Sequence, residues 1–436
     1  MADDQQCIVL TGVTGFLGRE VLFELLTHTR ATVVCVSRAS SDDAAQQRLD
    51  QVLTRLLGAG ARELVDGRVT AVAGDLTEPD LGLGARALRQ LVARTSHIVH
   101  GAASVRFDLS LEEARRINLD GTLTMLELAR RCFAEGRLER FGYISTAFVG
   151  GRYPEPFRED DLDLDQGFRN TYERSKFEAE LLLRTQMRRL PITVVRPSII
   201  VGHSQTGVTT GFNVIYWPLR MYADRIFRWA PASPRHPVDL VPVDYVARGV
   251  VEAIVAGGEA GRTYTLAAGE HAQEAHQVAD MAADVFEISP PLLFSTPLDR
   301  WALPLLSYGL FVGPWARYAS AYRQYLPYFL HPSRFETRNA SALLASRGIE
   351  PPAPTELLQP VLEFARATNF GRNAAVIRRR EKRDAARRRT ALARALRRQQ
   401  RGGDAPAGAA TSQRELTGRA GRARGSRRPA EAMVAG

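Results

Sequence analysis

The stretch Thr11-Gly12-Val13-Thr14-Gly15-Phe16-Leu17-Gly18 constrains this chain more than any other. It follows a short apolar run at 7–10 and opens a segment, 16–27, whose apolar residues recur at helical spacing. The three glycines have separate jobs at such a junction. Gly12 allows a tight turn, Gly15 lets backbone approach a pyrophosphate, and Gly18 lets the helix lie close to the strand. The phosphates then meet the helix N-terminus, where unpaired N–H groups and the helix dipole favour anions. Thr14, Phe16 and Leu17 belong to the same turn and are expected beside the nucleotide. A glycine triplet is weak by itself; a strand before it and a helix after it give it weight.

The alternation continues for 200 residues. Apolar runs at 32–36, 69–73, 97–99, 141–145 and 192–195 read as strands, and 114–133 and 172–189 read as helices, the second stopping before Pro191. Continuous apolar strands separated by helices predict an α/β fold, a Rossmann-type doubly wound parallel sheet. Past Val201 the alternation fades. Residues 202–237 read as a loop-rich substrate-side segment, 243–256 as a helix, and 263–266 as one further strand. The expected organisation is a dinucleotide-binding domain at 1–250, a smaller, mainly helical substrate-binding region at 251–371, and a tail at 372–436. Residues 294–335 hold 11 of the chain's 34 aromatic residues, several times a uniform share. Trp315, Tyr318, Tyr322, Tyr325 and Phe329 fall on one helical face. They read either as a helix packed on its own small domain or as the wall of a pocket for a long apolar substrate.

The net charge of +10 belongs to the tail. From residue 372 onward there are 19 Lys+Arg against 5 Asp+Glu, so the preceding 371 residues carry −4. A mildly acidic body argues against nucleic-acid binding. The tail's first part reads as a basic helix. After Gly402 its Ala/Gly/Pro/Arg composition cannot bury a core, and disorder is expected. Such a tail suits peripheral contact with an anionic membrane, or no partner at all. Cys7, Cys35 and Cys132 are scattered and read as small buried hydrophobes in a reducing compartment. The eight histidines show no ligand spacing, so no metal is expected. The acidic, polar start is no signal peptide, and no apolar run reaches eighteen residues. Together these point to a cytoplasmic protein, with membrane-surface contact left open.

The chain has 56 arginines and two lysines, Lys176 and Lys382. Lys176 lies four residues after Tyr172, on the same helical face. A planar guanidinium cannot replace a compact ammonium that must reach a ribose and poise a phenol. That pair is therefore the candidate proton-donating centre. Strand two ends in Val36-Ser37-Arg38 with no carboxylate. An acidic residue there suits the 2′-hydroxyl of NAD, an Arg the 2′-phosphate of NADP(H), and Arg48 offers a second contact. Asp75-Leu76 ends strand three near the adenine edge, and Ala102-Ala103-Ser104 sets small residues against the cofactor. Ser145-Thr146 ends strand five, where the Thr146 hydroxyl can bond the oxygen that Tyr172 protonates. Pro197 ends strand six beside the nicotinamide.

Together these residues resemble the extended short-chain dehydrogenase/reductases. Four longer motifs narrow the resemblance to the fatty acyl-CoA reductases and thioester reductase domains: 74–83 (Gly74-Asp75-Leu76-Thr77 onward), 100–108 (His100 to Asp108), 117–122 (Ile117-Asn118-Leu119-Asp120-Gly121-Thr122) and 239–246 (Asp239 to Val246). Ile144-Ser145-Thr146-Ala147-Phe148-Val149 adds a fifth. The resemblance covers roughly 7–250. It implies a catalytic set of Thr146, Tyr172 and Lys176, with Asn118 tying Lys176 into a water relay. It implies NADPH-dependent reduction of an acyl thioester, long-chain acyl-CoA or acyl-carrier, to an aldehyde, which a second hydride could take on to the alcohol. Gly101 departs from the Asn common in the wider superfamily, and 290–436 matches nothing that transfers. With no adenylation or carrier module visible, a free-standing enzyme is expected. A sugar-nucleotide epimerase and a hydroxysteroid-type dehydrogenase share the Tyr and Lys, and a non-catalytic cofactor-binding regulator is the reading from another class. The aromatic second region disfavours the sugar nucleotide, and the intact Tyr/Lys pair disfavours the regulator. Oligomeric state is not legible.

Overall fold

A computed structural model of the chain describes residues 6–226, 228–230, 232–293 and 319–401. Trp315 and Tyr318 of the aromatic run, and the tail beyond 401, lie outside the described residues. The apolar runs form strands β1 (Cys7–Thr11), β2 (Thr32–Ser37), β3 (Val69–Ala73), β4 (His97–His100), β5 (Arg140–Ile144), β6 (Ile192–Pro197) and β7 (Thr263–Leu266). They make one parallel seven-stranded sheet in the order β7-β6-β5-β4-β1-β2-β3. The order reverses between β1 and β4. Ligands of open α/β sheets bind at such a switch point, outside the carboxyl ends of the strands.

Helices α1 (Phe16–His28), α2 (Asp42–Leu57), α3 (Ala85–Arg94), α4 (Gly121–Ala134), α5 (Thr171–Arg184), α6 (Tyr216–Ala223), α7 (Val243–Val251), α8 (Ala275–Phe286), α9 (Ala319–Leu330), α10 (Arg338–Ala345), α11 (Pro354–Ala367) and α12 (Ala374–Arg401) complete the chain's longer elements. One sheet face is sealed by α1, α2 and α7, through Val21, Leu22, Leu25, Leu49, Leu53, Val246 and Val250. The other is sealed by α3, α4 and α5, through Leu88, Leu91, Met125, Leu126, Ala179 and Leu183. Strands buried on both sides need no polar alternation, which is why they read as unbroken apolar runs.

Beyond residue 250 the chain supplies β7 to the main sheet, paired with β6 from Thr263 opposite Val194 to Leu266 opposite Pro197. The smaller lobe draws on both halves of the chain: α6, α8 and α11 share a core of Tyr216, Leu219, Val278, Ala282, Leu358, Val361 and Leu362. The segment 202–237 is therefore part of that lobe rather than a loop of the first domain. Helix α12 is not a loose tail at its start. Ala385 and Leu392 are buried, and Leu392 joins the core that α1 builds. Buried Arg388 donates from Nε to Asp384 at 2.8 Å and from Nη1 to Glu20 of α1, 5.3 Å above the Phe23 ring. The rest of the basic run, including Arg379, Arg383 and Arg387, stays exposed. Among the described residues no helix is long and apolar enough to cross a membrane.

Candidate active site

The turn between β1 and α1 closes as its sequence dictates. Gly12 has φ +84°, and a Cβ there would stand 2.8 Å from the Ala102 nitrogen on the neighbouring β4 loop. A Cβ on Gly18 would stand 2.1 Å from the Gly12 carbonyl oxygen, so helix and turn meet only without one. Gly15 is the N-cap of α1 and offers no side-chain cap. The first N–H groups of Phe16, Leu17 and Gly18 are thus not claimed by a capping side chain, and Thr14 and Gly15 lie exposed beside them. This open, donor-lined cradle at a sheet switch point fits a dinucleotide pyrophosphate.

The β4 side of the cradle is held rigidly. Thr11 Oγ1 accepts from the Gly101 and Ala102 N–H groups at 3.2 and 3.1 Å and pairs with His100 Nδ1 at 2.8 Å. His100 Nε2 meets Thr122 Oγ1 at 3.1 Å. Burial, with Lys176 nearby, pushes the His100 imidazole down to about 3, so it is a neutral strut. A Cβ at Gly101 would lie 3.1 Å from the flexible end of Ile144, which leaves little room for a larger residue. Ala103 and Ser104 continue this wall, half-buried.

Asn118 stands in a wide, π-type turn, Arg116–Asp120, that leads into α4. Its amide accepts from Ser104 N–H at 2.8 Å and donates to the Ser104 carbonyl and Ser175 Oγ at 3.1 and 2.9 Å. Asn118 thus fixes the cofactor wall to α5 through Ser175. Among the described residues it makes no bond to Lys176.

Just past the end of β2, the Arg38 side chain is exposed, and its guanidinium makes no hydrogen bond or ion pair with a described residue. Arg48 donates to the Arg38 carbonyl, so it braces this turn rather than standing free as a second phosphate contact. Burial pushes the Asp75 carboxyl up, but the Thr77 N–H and hydroxyl, with Arg38 and Arg116 nearby, hold it below the usual range. Leu76 packs against Gly121, where a Cβ would lie 3.3 Å from its own.

Asn170 caps α5, accepting from Glu173 N–H at 2.9 Å, and so fixes the helix that carries Tyr172 and Lys176. The Tyr172 hydroxyl lies near the Thr146 hydroxyl, and burial pushes the phenol up to about 12 while Thr146 opposes the shift. Thr146 also makes a long 3.4 Å bond to the Pro197 carbonyl. Lys176 is buried, donates to the Ile144 carbonyl at 2.7 Å and sits 4.0 Å from the Tyr143 ring centroid. Burial lowers its pKa to about 7, with Glu180 opposing. The sequence-predicted residues thus converge, but the ammonium points at strand backbone while the phenol lies beside Thr146. A desolvated ammonium takes the nearest strong acceptor. Ser145 is occupied elsewhere, donating to Glu180 at 2.7 Å, which in turn pairs with buried Arg196 at 2.6 Å.

An apolar pocket opens beside this cluster. Phe148, Ile199, Ile215, Val238, Tyr325 and Phe335 line it, with His236 among them. Its free volume is about 70 Å³. Tyr325 and Tyr328 of α9 reach Tyr172 through Phe107, whose ring lies 5.8 Å from each of the three. The described part of the aromatic run therefore walls the site rather than packing on a separate domain. Phe107, Phe148, Arg169 and His236 were not singled out from sequence. Asn170, three residues before Glu173, was findable as a cap signal. Among the described residues no cluster of His, Cys, Asp or Glu could hold a metal.

Residues 10–250 match the male sterility protein family of NAD-binding domains, more than half of the chain. The chain belongs to that family. Its relatives in the male sterility protein family include the non-canonical nonribosomal peptide synthetase cpsA of Aspergillus campestris, 30% identical over 308 residues, covering 67% of this chain and 29% of that protein. The carboxylic acid reductase of Mycobacterium tuberculosis is 34% identical over 218 residues, 46% of this chain and 18% of that protein. The chain thus spans less than a third of either. Among solved structures, the terminal reductase domain of the myxalamid biosynthetic pathway is 26% identical, with a TM-score of 0.71 over 85% of this chain and 93% of that one. The fold is that of the extended short-chain dehydrogenase/reductases in their thioester reductase branch.

Proposed function

We propose that this chain reduces an acyl thioester, long-chain acyl-CoA or acyl-carrier, with NADPH. The observation that carries the reading is the neighbouring pair of hydroxyls, Tyr172 and Thr146, between a glycine cradle and an aromatic-walled apolar pocket. The cradle of Gly12, Thr14, Gly15, Phe16, Leu17 and Gly18 would hold the pyrophosphate. Arg38 would take the 2′-phosphate, Ala102, Ala103 and Ser104 would flank the ring system, and Pro197 would border the nicotinamide.

When bound, NADPH supplies a hydride to the thioester carbonyl carbon. As that carbonyl oxygen gains charge, Tyr172 and Thr146 donate to it, stabilising charge where it develops. Thr146 gives up only its long bond to Pro197 in turning toward it. Tyr172 delivers the proton, and the carbon–sulfur bond breaks to leave aldehyde and free thiol. Lys176, as the cation, leaves Ile144 for the ribose and eases proton loss from the phenol. Phe148, Tyr325 and Phe335 exclude water from the acyl side. Three buried thiols suit a reducing cytoplasm.

The test is cofactor oxidation by the full chain against a panel of acyl-CoAs, sugar nucleotides and sterols, with products identified. Acyl-CoA-dependent oxidation yielding aldehyde or alcohol is expected. Turnover confined to sugar nucleotides or sterols would overturn the reading.

A further inference from the structure

Arg169 lies two residues before the start of α5, in Arg169-Asn170-Thr171-Tyr172, and its side chain is fully buried. A buried guanidinium is costly unless every arm of its fork is used. Here the arms reach three separate parts of the chain. Nη1 donates to the Gly151 carbonyl at 2.5 Å, on the turn that follows Thr146, and pairs with Glu173 at 3.3 Å, in the first turn of α5. Nη2 donates to the His331 carbonyl at 2.9 Å and to Ser333 Oγ at 2.6 Å, on the segment that follows α9. The guanidinium lies 5.1 Å from the Tyr328 ring and 5.9 Å from the Phe148 ring. Only Nε finds no acceptor among the described residues.

The same group of residues places the aromatic wall. Tyr328 Oη receives a bond from Asn170 at 2.8 Å, and the Tyr328 ring meets Phe148 at 5.4 Å. Tyr328, Phe148, His331, Ser333 and Phe335 all line the apolar pocket. Glu173 is buried with Arg169 and supplies the compensating carboxylate; removing Arg169 would leave that charge alone. The contacts are therefore concentrated where α9 and the residues after it meet the helix of Tyr172.

We propose that Arg169 is a positioning residue for the substrate: it pins the 328–335 segment across the start of α5 and so sets the acyl pocket against Tyr172. The inference rests on the thioester reading for the identity of the ligand, but not for the pinning. Arg169→Met in the full chain should speed amide hydrogen exchange at 325–335 by tenfold or more, with exchange in β1 and β4 unchanged. It should raise KM for a long-chain acyl thioester at least tenfold while NADPH affinity stays within threefold. Arg169→Lys should fall between, since one ammonium cannot span Gly151, Glu173 and Ser333 together. Should Arg169→Met fold poorly, Ser333→Ala removes one contact gently and should shift the same two readouts in the same direction by a few-fold. Unchanged exchange at 325–335 in both variants would overturn the proposal, whatever the substrate. So would a lowered Tm with KM unchanged, which is the mark of a purely structural role. Wild-type protein inactive on every thioester would sink the function proposed above and leave the exchange result to decide this one.

Discussion

Removing Arg388 should cost this chain a large part of its stability. Composition alone assigns residues 372–436 to a tail and implies that a chain ending at 371 folds and works as well. The structure places Arg388 between two carboxylates that are themselves nearly buried, Glu20 at 3% and Asp384 at 10% side-chain exposure. Arg388→Ala leaves both without that partner. Breaking a buried pair this way costs roughly 3–5 kcal/mol, because a charge stays buried without compensation. Arg19 still pairs with Glu20 at 3.2 Å, which points to the lower end, about 3 kcal/mol. For a body of this size about 2 °C of Tm goes with each kcal/mol, so about 6 °C should be lost. Ending the chain at 371 also removes Leu392, fully buried, which adds roughly 1.5–3 kcal/mol. The sum approaches the roughly 5–15 kcal/mol by which folded proteins exceed their unfolded states. Thermal and urea unfolding of the full-length variants are the assay. The double change Asp384→Asn, Arg388→Met should recover part of the loss, since Glu20 keeps its pairing with Arg19 and residue 384 then carries no charge. An Arg388→Ala protein melting within 1 °C of wild type would refute the reasoning.

Three further outcomes follow from the site. Tyr172→Phe should lower kcat roughly 10²–10⁴-fold, the usual share of a positioned general acid, while NADPH affinity changes no more than a few-fold; activity within tenfold of wild type would remove Tyr172 from its role. Arg38→Ala should weaken NADPH binding by about 10- to 150-fold, for a charge-assisted contact of roughly 1.5–3 kcal/mol, and leave NADH unaffected; equal loss for both would show that Arg38 is not the 2′-phosphate contact. The Lys176 pKa is lowered to about 7, so kcat/KM should fall as pH rises through that value and the ammonium is lost. The stability sign is opposite: between about 7 and the ordinary 10.5 the unfolded chain binds the extra proton, so this group's contribution rises with pH across that window and is lost as pH falls through 7. A kcat/KM flat from pH 6 to 9 would show that the charge on Lys176 is not needed.

The parallel sheet's strands and the glycine cradle were legible because each rests on a local rule. A positive φ at Gly12 and the contact of Gly18 with the Gly12 carbonyl are demands made within seven residues, and sequence states them directly. The Tyr172–Lys176 spacing is equally local. Where Lys176 points is not, since its acceptor is the Ile144 carbonyl, 32 residues away on another strand. Arg48 shows the same limit: a cation near the right turn, spent on holding the Arg38 carbonyl. Arginine is so abundant here that its composition hides its use. Arg388 sits in a run of three, Arg387-Arg388-Arg389, that looks uniformly solvated, yet one of the three turns inward to a carboxylate 368 residues earlier. Arg169 is bonded to His331 and Ser333, 162 and 164 residues later. Nothing in the neighbourhood of either residue distinguishes it from an exposed arginine. Both become specific only when the sheet has brought distant carboxylates and carbonyls together: one bonds α1, the other the wall of the apolar pocket. In this chain the glycine cradle is written in short motifs, while the apolar pocket is written in long-range contacts. That difference is physical, because a pyrophosphate is bound by backbone groups whose geometry glycine spacing fixes, whereas an apolar pocket is bounded by whichever side chains the fold gathers.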